Sequence, residues 1–139
     1  MLAVELATYL DDQGLVAFSA TAAGGDCFVE KLPQSPDEAV AIMSTGGWRE
    51  DGKLGYDSPT LQLVVRGTKD PQAGFERAVA LYDALHGLHA VELVDGGTYV
   101  VGCWAQQSAP IRLGPDDNGR YEYSINLLLH VRSLTMHRE

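Results

Sequence analysis

From Tyr121 to Arg132 the chain alternates without interruption, with Tyr121, Tyr123, Ile125, Leu127, Leu129 and Val131 set against Glu122, Ser124, Asn126, Leu128, His130 and Arg132. A period of two puts successive side chains on opposite faces of a strand, so the fold must contain a sheet with one well-buried face. At 3.3 Å per residue the stretch reaches about 40 Å, beyond the usual strand of about five or six residues. Either the strand bends across the sheet, or its end pairs beyond the subunit's own core. Before it, residues 114–120 (GPDDNGR) read as a hairpin loop: proline pre-sets a turn and Asn118-Gly119 accepts positive φ.

A helix is written most clearly from Asp70-Pro71. The carboxylate is a good N-cap and the proline suits the first helical position. Phe75, Ala78, Val79, Tyr82 and Leu85 then mark one face, and Gly87 supplies the stop, giving a helix over about 71–86. Leu2, Leu6 and Leu10 form a second stripe, predicting a helix over about 2–12 that ends near Gln13-Gly14. Strands are expected at Phe28–Leu32, Ala39–Met43, Leu61–Val65, Ala90–Val94, Tyr99–Ala105 and Ile111–Leu113. A hairpin is expected between Leu15 and Phe28, and a proline-punctuated turn at Pro33–Glu38. Thr45–Pro59 holds four glycines and five charged residues and reads as a long exposed loop. The fold class is α+β: a mostly antiparallel sheet packed by two helices.

Length and composition narrow the function. The 139 residues predict one domain, with 45% hydrophobic and 21% charged residues as in ordinary globular chains. Ten Lys+Arg against 19 Asp+Glu give a net charge of −9, which opposes whole-surface binding to nucleic acid or to an anionic membrane. No window of about 18 apolar residues occurs, and the first ten residues lack the basic start of a signal peptide, so a soluble, non-secreted chain is expected. Cys27 and Cys103 lie far apart without a CxxC, and both are read as reduced, Cys103 in the core.

Motifs for chemistry are weak. The glycine pairs at 24–25, 46–47 and 96–97 do not fit a phosphate-binding fingerprint. His86 and His89 straddle Gly87 and lack partners for a metal site. Residues 116–119 lack the ligand spacing of a calcium loop. There is no GxSxG elbow, and Cys103 has no basic neighbour to activate it. No catalytic, cofactor or metal residue is assigned. Trp48, among Gly46, Gly47, Arg49, Glu50 and Asp51, either tucks onto the core or anchors a protein contact.

Four ordered segments carry a resemblance. They are Leu32-Pro33 with residues 36–42 (PDEAVAI) and Thr45-Gly46-Gly47; residues 57–62 (DSPTLQ) leading to Val65-Arg66-Gly67; the helix with Ala78, Tyr82 and Leu85-His86-Gly87; and residues 110–114 (PIRLG) with Asp116, Asn118-Gly119-Arg120, Glu122 and Ser124-Ile125-Asn126. Together they span about residues 28 to 131. In this order the chain resembles the phage minor capsid and tail terminator group of small virion proteins.

The resemblance implies an α+β subunit of a hexameric ring at the head-proximal end of a long non-contractile tail. Such a ring stops tail-tube polymerisation and meets the head-completion or connector proteins. Its partners would be further copies of itself, the tail tube protein and the connector protein, with no membrane and no catalytic residues. It implies a place in the virion, at the head–tail junction, after assembly in the host cytoplasm. The net charge suits a lumen through which DNA slides without sticking. Arg66, Arg120 and Glu122 are the candidates for charged pairs between subunits, and Trp48 and Arg49 for contact with the tube or connector. Arg120 and Glu122 have the alternative of pairing across their own hairpin. The competing readings are a small enzyme built from His86, His130, Asp57 and Cys103, and an adaptor that binds through residues 45–59.

Overall fold

The computed structural model describes residues 1–21 and 24–138. Its elements are α1 (Leu2–Asp12), β1 (Cys27–Val29), β2 (Ala39–Trp48), β3 (Tyr56–Arg66), α2 (Pro71–Leu85), β4 (His89–Glu92), β5 (Tyr99–Ala105), β6 (Ile111–Pro115) and β7 (Tyr121–Arg132). The strands form one sheet in the order β1-β2-β3-β7-β5-β4, with β6 also on β7. Every pairing is antiparallel except β1 with β2.

The alternation read in the last strand decides the layering. Tyr123, Ile125, Leu127, Leu129 and Val131 are buried in one cluster with Leu61, Leu63 and Val65 of β3 and with residues of both helices. α1 contributes Ala3, Leu6, Ala7 and Leu10, and α2 contributes Ala78, Leu81 and Leu85. Two helices thus cover one face of the sheet, the α+β arrangement the sequence predicts.

β7 is an interior strand, paired on both sides over most of its length. β3 runs beside it from Glu122 to Arg132. On the other side β6 covers Tyr121–Ser124 and β5 covers Leu127–Val131. Its far end therefore pairs with Tyr56 and Val100 of the same chain rather than beyond the subunit's core, and β7 offers no long edge to a neighbour.

The expected loop over 45–59 is mostly strand. β2 runs on to Trp48 and β3 starts at Tyr56, leaving only 49–55 as the connection. The glycines serve a bulge: partners shift from Ser44↔Leu61 to Gly47↔Pro59, with Gly46 at φ +87° and Gly47 at φ +139°. A Cβ on Gly47 would overlap the Ser58 carbonyl and stand 2.6 Å from the Pro59 Cα. Only glycine suits that crossing.

Three further expectations change. The Leu15–Phe28 hairpin is a fold-back without a ladder, in which the Ala17 carbonyl accepts from the Asp26 and Cys27 amides; Ala22 and Ala23 lie outside the described residues. Pro33–Glu38 is a crossover rather than a hairpin turn, since β1 and β2 are parallel. The buried face of α2 is Gly74, Ala78, Leu81 and Leu85, rotated from the Phe75–Val79–Tyr82 side. The rotation follows from a close backbone approach: a Cβ on Gly67 would stand 2.5 Å from the Gly74 nitrogen and 2.6 Å from its Cα. Phe75 remains 41% exposed, its ring edge-on to Tyr123 at 5.6 Å.

Candidate assembly surface and its supports

Beyond Met43 the β2–β3 hairpin becomes an arm whose β2 side chains are exposed from Ser44 to Trp48. Trp48 does not fold back: it is 68% exposed, and Arg49 beside it is exposed as well. A groove of about 580 Å³ runs between this arm and the end of β7, lined by Trp48, Arg49, Asp57, Pro59 and Arg132 among others. Across the sheet the arm is held by side chains of β7. Tyr56 stacks on His130 at 5.3 Å, and the Ser58 hydroxyl donates to Glu50 at 3.0 Å with His130 Nδ1 3.4 Å away. The chain after β7 returns to the arm, where Arg138 meets the Asp57 carboxylate at 2.7 Å. That hydrogen bond, against the opposing effect of burial, holds the Asp57 carboxyl below its ordinary pKa.

Arg66 and Arg120 have a different task. Arg66, at the end of β3, is 2% exposed. Its Nε donates to the Asp37 carbonyl at 2.9 Å, and one terminal nitrogen donates to the carbonyls of Pro33 and Pro36 at 2.6 and 2.7 Å. Arg120 is 4% exposed. It donates to the Gln34 carbonyl at 2.6 Å, pairs with Asp116 at 2.8 Å and reaches Asp37 at 3.1 Å. Two guanidiniums thus clamp the 33–37 crossover and the 114–120 loop onto the sheet, using the planar, multiply donating geometry that a lysine lacks.

Both arginines are partnered within the single chain. Their donors are committed inside the chain, and Arg120 pairs with Asp116 and Asp37 rather than with Glu122 across the hairpin. Burial, followed by the charge of Arg120, lowers the Arg66 pKa. Glu122 is half-buried beside them, and burial together with the charge of Asp116 raises its carboxyl above the ordinary value. The clamps unite three of the four segments that carry the resemblance: Pro33 to Asp37, Arg66, and Asp116 to Arg120. Sequence reading missed the clamp because an arginine between strand and loop is usually solvated.

The four residues of the enzyme reading are not assembled into a reacting group. Cys103 is fully buried and burial pushes its thiol up to about 12. His86 accepts from the Ala105 amide at 2.9 Å, Asp57 is taken by Arg138, and His130 is stacked on Tyr56. The Ser58 hydroxyl gives its one proton to Glu50, so His130 does not act on it as the base of a serine nucleophile. Among the described residues no group of three or more His, Cys, Asp or Glu is placed to hold a metal, and no helix is long and apolar enough to cross a membrane.

A family model described as bacteriophage tail terminator protein matches residues 9–132, from within α1 to the last residue of β7. The chain belongs to the phage tail terminator family. It is therefore a structural component of a phage tail. The match begins at residue 9, well before residue 28, so the last turn of α1 and the segment after it lie inside the matched span as well. No curated protein matches the chain. In this tail terminator the arm and both clamps lie inside the matched span.

Proposed function

We propose that this protein is the subunit of a ring, a homo-hexamer, that sits on the head-proximal end of a long non-contractile tail, ends tube polymerisation and joins the tail to the head connector. The observation that carries the reading, within the family, is the end of the β2–β3 hairpin, where the β2 side chains from Ser44 to Trp48 are exposed and Arg49 follows Trp48. Tryptophan and arginine are among the side chains that most often anchor protein contacts, and Trp48, 68% exposed, is not part of its own core. The tail tube and the connector are the partners assigned to Trp48 and Arg49. Glu122, half-buried beside the clamps, is assigned a supporting part under a subunit contact.

The net charge of −9 suits the same role, because a ring of such subunits repels the DNA that passes through it. A ring whose inner wall is basic would contradict this. The ring itself is tested by light scattering after size exclusion, with negative-stain images of the same peak. The expected species has six times the 15.0 kDa chain mass and an annular image, formed either free or on tube ends. A protein that stays monomeric in solution and is missing from tube ends contradicts the reading.

A further inference from the structure

A sheet that does not close on itself has edges, and their treatment shows which are kept for a partner. The β1 edge is three residues long and ends at Glu30, whose φ of +64° breaks the strand. The Glu30 carboxylate then accepts from the Ser44 amide at 2.7 Å, just where β1 stops covering β2. The β4 edge is four residues long, with Ala90 at φ +51° and the Glu92 carboxylate turned onto the Gly96 amide. Both are blunted by charge and by a broken backbone.

Two edges are not. β1 pairs β2 only at Val40–Ile42, so among the described residues no strand covers the outer side of β2 from Ser44 to Trp48. Among the described residues β6 pairs with β7 alone, and its free side lies between Pro110 and Pro115. These prolines confine any added strand to a short window. Each edge also carries apolar side chains in water: Trp48 on one, and Ile111 and Leu113, 40% and 50% exposed, on the other.

The two open edges face opposite sides of the sheet, one beside β1 and the other on the side of β7 away from β3. A partner for one edge must bring an open strand, and the chain itself carries one on the opposite side. Contacts between two different surfaces of identical subunits run head to tail and close into a ring when the rotation permits. We propose that β2 from Thr45 to Trp48 of one copy pairs with β6 of the next copy, around residues 111–114, so that the sheets of the ring are joined edge to edge. The inference rests on the ring reading above and names the contact that builds the ring.

Mixed disulfide trapping tests it. Thr45→Cys and Trp48→Cys variants are each mixed with Ile111→Cys and Leu113→Cys variants and oxidised; the four mixtures cover parallel and antiparallel pairing, since paired Cα atoms fall within disulfide reach. Cys27 and Cys103 are buried with thiols pushed up to about 12, so they do not compete. Each variant is first checked for an unchanged melting transition. The expected result is a covalent dimer in at least one mixture and in no single variant alone, with ladders up to ring size when both cysteines share one chain.

If the free protein is monomeric, the same mixtures are oxidised on tube ends. Rings that form without any mixed cross-link overturn the edge pairing and leave the ring reading standing. Cross-linking of one single variant with itself also overturns it, because that marks a two-fold contact. Absence of rings both in solution and on tubes removes the ring reading and this inference with it.

Discussion

Arg66 on β3 donates to the carbonyl of Pro36, thirty residues earlier in the chain, at 2.7 Å. With the bonds to Pro33 and Asp37 this makes one buried side chain the donor for three crossover carbonyls. Replacing Arg66 with methionine leaves those carbonyls without a donor, and the expected loss is about 3 kcal/mol. Urea unfolding checks it. Arg66→Lys is expected to recover only part of the loss, because an ammonium cannot reproduce the fork.

Gly67→Ala would drive a methyl group into the backbone of Gly74, 2.5 Å from its nitrogen. Neither backbone is free to yield, since β3 and α2 are both packed in the core, and a loss of about 2 kcal/mol is expected. The melting temperature reports it directly, and an unchanged value would mean that α2 shifts without cost.

Trp48→Ala should separate folding from assembly. The side chain is mostly in water, so stability is expected to change by less than about 0.5 kcal/mol. Capping of tail tubes, measured by tube length in negative stain, should weaken. A variant that caps as well as the parent would remove Trp48 from the contact.

The carboxyls near the arm and the clamps give opposite pH signatures. Asp57 has its folded pKa lowered, first by the Arg138 hydrogen bond, so its contribution is present above its unfolded pKa and is lost as pH falls through the folded value, below about pH 4. Glu122 has its folded pKa raised, first by burial. Its contribution is present below the unfolded pKa and is lost as pH rises through the folded one. Asp57→Asn is therefore expected to lower the melting temperature near about pH 7, with the gap closing in acid, and Glu122→Gln to raise it near about pH 7 and not in acid. Melting curves across that range check both signs.

Both thiols should be silent in the folded protein. Cys27 and Cys103 are buried, and burial pushes each to about 12, so neither reacts with a thiol reagent until denaturant is added. Fast reaction of either in buffer would show that the core opens there.

What could be read in the sequence was what repeats or punctuates. The alternation of Tyr121–Arg132 specified β7 and its buried face, and Asp70-Pro71 with Gly87 specified α2, because these signals are local. The arm was misread because Gly46 and Gly47 look the same in a bulge as in a loop; only the partner strand, with Ser58 and Pro59 against Gly47, tells them apart. The α2 face was read correctly at Ala78 and Leu85 but offset toward Phe75, which outranks Gly74 in hydropathy, while the Gly67 contact sets the rotation. Arg66 and Arg120 looked like surface charges. Their real partners, the carbonyls of Pro33, Gln34, Pro36 and Asp37, are backbone groups that leave no mark in the residue pattern. Trp48 and Arg49 were read from their residue types as candidates for a partner contact, and the structure leaves both exposed.

The central claim is that this protein ends the growth of a tail tube. The most direct measurement adds it to polymerising tube protein from the same phage and follows tube length by negative stain, with the protein labelled. The account expects elongation to stop and one end of each tube to carry label in an annular cap. Tubes that grow to the same length with label absent from their ends would contradict it.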